Sequence, residues 1–187
     1  MRLYIARHGE SETNVRKCWT GQLDVSLTEN GLRDAKKLGE RLSKLSFDKV
    51  FSSDLLRAVQ TAEGALPGCA PERTELLREV DVGSLAGKPL STPIDPGIDR
   101  HRDGYAALGG ESMEELTHRV REFMSLVESS GAECIAAFSH AGVILRMLSL
   151  VLGVEFLHGS LLCRNCALAI FEISDGVWRL HSFMNLD

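Results

Sequence analysis

The chain has 187 residues, 44% of them hydrophobic and 25% charged, enough for the core of about one globular domain and unlike a collagenous or disordered composition. Its 21 Lys and Arg against 26 Asp and Glu leave a net charge of −5. That balance argues against a non-specific nucleic-acid binder, which needs a basic face, though it leaves room for a local basic pocket.

The opening stretch, MRLYIARHGE, turns polar too soon for a signal peptide. Residues 2–6 read as a short buried strand. Residues 28–45 space Leu32, Ala35, Leu38, Leu42 and Leu45 as a helix, with Thr28 as its N-cap. A second strand is expected over 48–52. A second helix follows over 54–66, capped by Ser53 or Asp54 and stopped by Pro67 and Gly68. Residues 80–110 hold Pro89, Pro93 and Pro96 and six glycines, and read as a long loop or lid within a single domain spanning 1–187.

Ser112 and Glu115 form an S-x-x-E capping box for a third helix over 112–128, with Leu116, Val120, Phe123 and Val127 as its apolar stripe. A buried strand over 133–138, an apolar helix over 141–152 ended by Gly153, and two closing strands over 166–173 and 177–183 complete the chain. The turn Asp175-Gly176 joins the last pair. Strands alternating with helices imply a three-layer α/β/α sandwich with a mostly parallel sheet, its final hairpin antiparallel. No apolar run approaches the roughly 20 residues that span a bilayer. Five cysteines make no disulfide framework, and the pair Cys163-x-x-Cys166 reads as two small apolar side chains at the start of a strand rather than a redox or zinc site. A cytoplasmic protein with no membrane and no nucleic-acid partner is expected.

Two histidines stand at equivalent places. His8 follows the first strand, in Arg7-His8-Gly9-Glu10, and His140 follows the strand ECIAAF. Arg57 stands at the start of the helix after the second strand. Open parallel sheets bind ligands at the carboxyl ends of their strands, so Arg7, His8, Arg57 and His140 converge on one edge. Two guanidiniums present planar forks that match phosphate oxygens, and Gly9 permits close approach of the backbone. No acidic cluster, H-E-x-x-H or phosphate-binding P-loop accompanies them. A phosphate pocket without metal and with histidine suggests covalent phosphoryl transfer.

Those residues carry a resemblance. LYIARHGESETN, TGQLDVSLTENG, SSDLLRAVQTA, GGESMEELTHRV and FSHAGVILR, in that order from residue 3 to about 173, resemble the histidine phosphatase superfamily, also called phosphoglycerate-mutase-like, and its phosphatase branch in particular. The resemblance implies a sheet of about six strands and a nucleophilic His8 that becomes phosphohistidine. Arg7, Arg57 and a protonated His140 would hold the phosphoryl oxygens. It places Asn14 on the phosphate and Thr20 and Gly21 at the pocket mouth, although Asn14 could instead cap a turn and Thr20 sit on a surface loop. It assigns the proton donor to Glu79, with Asp81 two residues on as competitor. Leu85 and Ala86 depart from the aromatic and acid usual in the family's lid, which leaves the substrate open.

The implied activity is a metal- and cofactor-independent phosphomonoesterase acting on a small phosphorylated metabolite. α-Ribazole phosphatases and broad-specificity phosphatases share the size and blocks. A phosphoglycerate mutase or a non-catalytic phosphate-binding domain are the alternatives. Lys88, His101, Arg102 and Tyr105 could read the substrate or be solvated loop residues. The reading specifies no oligomeric state.

Overall fold

A computed structural model describes residues 1–155 and 160–186. Six strands form one sheet in the order β3-β2-β4-β1-β5-β6. They are β1 (Arg2–Arg7), β2 (Lys49–Ser53), β3 (Glu72–Thr74), β4 (Cys134–Ser139), β5 (Leu168–Ser174) and β6 (Val177–Met184). The pairings β1–β4, β2–β4 and β2–β3 are parallel, and β1–β5 and β5–β6 antiparallel. Among the described residues five α-helices accompany it: α1 (Glu12–Val15), α2 (Glu29–Leu42), α3 (Leu56–Ala65), α4 (Met113–Glu128) and α5 (Ala141–Leu152). The expected α/β/α architecture is present.

The central strands are apolar on both faces, as a sheet covered on both sides requires. Leu3 and Ile5 of β1 and Ile135 and Ala137 of β4 meet α4 and α5 through Val120, Phe123, Ile144 and Met147. The alternate residues Tyr4, Ala6, Ala136 and Phe138 meet Leu38, Leu42 and Ala62 of α2 and α3. Phe123 is fully buried and packs edge-on to Phe51 at 5.7 Å; truncating such a ring costs about 3–5 kcal/mol.

Several boundaries differ from expectation. The first long helix stops at Leu42, and Leu32 and Leu45 are exposed rather than in the stripe. α3 starts at Leu56 with no side-chain cap, because Ser53 closes the end of β2 and Asp54 pairs with Arg78. The short β3 and α1 lack the periodicity that betrays longer elements. Cys163 and Cys166 lie ahead of β5, buried and unbridged. Burial pushes both thiols up to about 12, so they stay protonated at neutral pH. The segment 80–110 is a lid of turns with its own small cluster, Val82, Leu85 and Tyr105, against which Trp19 packs. No helix among the described residues is long and apolar enough to cross a membrane.

Candidate active site

The site lies at the carboxyl ends of β1, β2 and β4. The backbone N–H of His8 donates to Ser139 O at 2.9 Å, extending the β1–β4 ladder by one residue. The His8 ring is buried, and its Nδ1 lies 2.7 Å from Gly9 O. A carbonyl only accepts, so Nδ1 carries the proton and Nε2 keeps its lone pair. Burial and the charges of Arg7 and Arg57 push the His8 pKa well below its ordinary value, favouring that neutral ring.

The loop that carries His8 is held from three sides. Gly9 faces α2 so closely that a Cβ there would come within 2.6 Å of Gly31 O. The glycine therefore serves helix packing. Gly9 N–H donates to Thr61 Oγ1 at 3.0 Å, and that hydroxyl donates to Arg57 O at 2.7 Å. Asn165 Nδ2 lies 3.1 Å from both His8 O and Gly9 O and 3.2 Å from Asn14 Oδ1.

Arg57 is fully buried, yet its hydrogen bonds go to backbone carbonyls only: Nη1 to Leu23 O at 2.7 Å and Nη2 to Gly21 O at 2.8 Å. Burial pulls its pKa down to about 10, which still leaves it charged at neutral pH. Arg7 Nη1 is held by Cys163 O at 2.6 Å. The His140 and His8 ring centroids are 5.1 Å apart. Arg7 Nε, Arg57 Nε and both ring nitrogens of His140 are buried without a hydrogen-bond partner among the described residues. Buried polar groups are normally satisfied, and this concentration of unpaired nitrogens beside His8 matches an anion with several oxygens.

The sequence reading has His140 protonated. Burial, Arg57, His8, Arg7 and Arg119 instead push its pKa well below the ordinary value, so the protein alone favours the neutral ring. A phosphate dianion brought against it adds the opposite charge and favours the imidazolium.

Glu79 and Asp81 separate clearly. Glu79 Oε1 accepts from Gly142 N–H and Val80 N–H, each at 3.0 Å, two residues beyond His140 in the first case. Asp81 Oδ1 accepts from Gly83 N–H at 2.8 Å and caps a turn at the base of the lid. The acid segment is anchored by Arg119. Its Nη1 donates to Leu76 O at 2.9 Å and Arg78 O at 2.7 Å, while Nε and Nη2 grip Glu111 in a fork at 2.8 Å each. Glu111 Oε2 in turn accepts from Asp81 N–H at 3.3 Å.

The remaining residues fall further out. Asn14 closes the α1 capping box, its Oδ1 accepting from Ser11 N–H at 3.1 Å, so turn capping is visible at that position. Thr20 Oγ1 meets Thr13 Oγ1 at 2.7 Å, and Gly21 takes part through its carbonyl on Arg57. In the lid, Tyr105 is buried, Lys88 exposed, and Arg102 exposed and paired with Asp103. His101 lines a cleft against α5. Thr61, Asn165, Arg119 and Glu111 are absent from the sequence reading. Thr61 carried a signal, standing one helical turn after Arg57 in SSDLLRAVQTA; the others act across the fold and had none. Among the described residues no group of three or more His, Cys, Asp and Glu side chains is placed to hold a metal ion.

Residues 3–186 match the model of the histidine phosphatase superfamily, branch 1. A probable phosphoglycerate mutase, GpmB, of Salmonella paratyphi A is 32% identical over 95% of this chain and 87% of its own length. A phosphoglycerate mutase structure from Thermus thermophilus is 30% identical, with full coverage of both chains and a TM-score of 0.75. The α-ribazole phosphatase of Shigella flexneri shares the fold at a TM-score of 0.83, with 23% identity over 98% of this chain and 96% of that one.

Proposed function

The chain belongs to the histidine phosphatase superfamily, and we propose that it is a metal-independent phosphomonoesterase acting through a phosphohistidine at His8 on a small phosphorylated metabolite. The observation that carries this reading is the set of buried, unpartnered nitrogens on Arg7, Arg57 and His140 around a histidine whose Nδ1 is fixed on Gly9 O.

His8 Nε2 attacks the phosphorus in line as the ester oxygen departs. The equatorial oxygens gather charge, which Arg7, Arg57 and the imidazolium of His140 meet. Glu79, as the carboxylic acid, gives the proton on Oε2 to the departing alcohol oxygen as the P–O bond breaks, while Oε1 stays on two backbone N–H groups. The same carboxylate then accepts a proton from the water that cleaves phosphohistidine. Two arginines and a histidine supply the charge that a metal supplies elsewhere.

The test is to mix the protein with an aryl phosphate in excess chelator, quench, and locate the phosphate by mass spectrometry. Acid-labile phosphate on His8, and release of phosphate unaffected by the chelator, are expected. Phosphate on another residue, or a complete loss restored by Mg²⁺ or Zn²⁺, overturns the reading. A mutase is the second reading, favoured by the 32% identical probable phosphoglycerate mutase. Conversion of 3-phosphoglycerate to 2-phosphoglycerate faster than release of phosphate would select it.

A further inference from the structure

An open cleft lies between the lid and α5. Its floor is one face of α5. Gly142, Leu145, Arg146 and Ser149 line it at spacings of three, four and seven residues from Gly142, which place them on one stripe. From Gly142 to Ser149 the helix rises about 10 Å. Val80, Leu116 and Met113 add apolar walls, and Arg100 of the lid, its guanidinium over the Trp19 ring at 5.2 Å, also lines it.

One end of this cleft is the acid. Val80 and Gly142 line it, and their N–H groups are the two that hold Glu79 Oε1. The charge of Glu79 acts on Arg57 and Cys163 on one side and on Tyr105, another lining residue, on the other. Glu79 thus stands between the phosphate-holding nitrogens and the cleft, where a proton donor to a departing alcohol has to stand.

The other end is basic. Arg146 Nε donates to Thr117 Oγ1 at 2.7 Å and Nη1 reaches the backbone carbonyl of Glu155 at 3.4 Å, while the Glu155 carboxylate is exposed. Arg146 and Met113 also line a second hollow with Arg121, His118, Arg102 and one carboxylate, Glu114. Burial and the Arg121 guanidinium push Arg146's pKa down and outweigh the Glu155 carboxylate, which also lines the cleft and pushes it up; a docked anion would relieve that cost.

We propose that this cleft is the leaving-group channel, and that it selects phosphoesters whose alcohol has an apolar body and a distal acidic group docking at Arg146 and Arg100. The inference rests on the phosphatase reading and deepens it. Arg146 starts one turn beyond Gly142 and reaches on to the Glu155 carbonyl past the end of α5, farther than a two-carbon acid held at Glu79 extends. The distal acid is a carboxylate or a second phosphate.

The test compares kcat/KM for phosphooxyhexanoate against hexyl phosphate, and for phosphoglycolate against ethyl phosphate, with hexanediol bisphosphate as the arm that separates phosphate from carboxylate. A ratio of about tenfold or more for the long acid over its methyl-ended partner is expected, on the scale of one charge-assisted contact, with a ratio near one for the short pair. R146Q and, separately, R100Q should each lower the long-pair ratio severalfold. A substitution that only loosened the fold would lower both esters and leave their ratio intact, and that result overturns the inference. So does a ratio of one in the natural protein, or a preference for the short acid. Phosphohistidine formed from an aryl phosphate in the same preparation separates these failures from a failure of the phosphatase reading itself.

Discussion

Glu79 and Gly142 lock together: the carboxylate Oε1 lies 3.0 Å from the glycine N–H, and a Cβ on Gly142 would come within 2.4 Å of that same oxygen. The residue two after His140 thus has no side chain because the acid occupies its space. Gly142→Ala should displace Glu79 and leave the fold intact, since α5 readily accepts alanine. Turnover of alkyl phosphates should fall about a hundredfold, the scale of a lost general acid. Aryl phosphates should still phosphorylate His8. Steady-state and burst kinetics of the two ester classes check this, and equal losses on both would show that Glu79 is not the group displaced.

A direct pair of variants separates the two carboxylates. Glu79→Gln should slow alkyl phosphates by about a hundredfold or more, while an aryl phosphate, which leaves unaided, should give an initial burst followed by slow dephosphorylation. Asp81→Asn weakens only a turn onto Gly83 N–H and should alter turnover little. Impairment by Asp81→Asn on alkyl esters with Glu79→Gln normal would transfer the role.

The acid's placement should also depend on Arg119, which holds the backbone on both sides of Leu77 and is itself gripped by Glu111. Both side chains are largely buried, with 14% and 12% exposed. Removing one partner of such a pair costs about 3–5 kcal/mol. Arg119→Met should therefore lower the urea midpoint and reduce kcat on alkyl phosphates more than the burst rate on aryl phosphates. Loss of stability with the alkyl-to-aryl ratio unchanged would limit Arg119 to the fold.

These couplings explain what was readable in the chain alone. The sheet, its two helical layers and the strand-end residues Arg7, His8, Arg57 and His140 are local signals. Apolar runs mark the central strands, and topology carries the residues after them to one edge. Asn165 and Arg119 are different. Asn165 stands 157 positions from His8, and nothing in NCALAI distinguishes a loop amide from one that clamps the His8 loop. Arg119 looks like any charge on the face of a helix until Leu76 O and Arg78 O arrive from across the fold. Nor does the sequence reveal that Gly9 packs on Gly31 or that the ligand-free protein favours a neutral His140, because both depend on what packs against them: Gly31 in one case, burial and three arginines in the other.

The two buried histidines of the site, His8 and His140, should make stability depend on pH. Both have pKa values pushed well below the ordinary 6.5, in each case by burial first and then by neighbouring cations. In the unfolded chain each takes up a proton near 6.5, whereas in the folded protein each stays neutral to much lower pH. Between those limits the unfolded state binds more protons, so stability rises with pH and is lost as pH falls below about 6.5. Two such groups give a slope of up to about 2.7 kcal/mol per pH unit. The carboxylates with depressed values, Asp48 and Asp54 among them, start from 3.8 and add to the loss only at lower pH. Urea midpoints taken in steps from pH 7.5 to 5.5 should therefore fall steeply over the acid half of that range, and His140→Gln should about halve the slope. Saturating inorganic phosphate should raise the midpoints across the range, because a bound anion stabilises only the folded state. A midpoint that stays level down to pH 5.5 in the natural protein would mean that the rings take up protons in the folded state as readily as in the unfolded one, and that His8 is not held neutral by its surroundings.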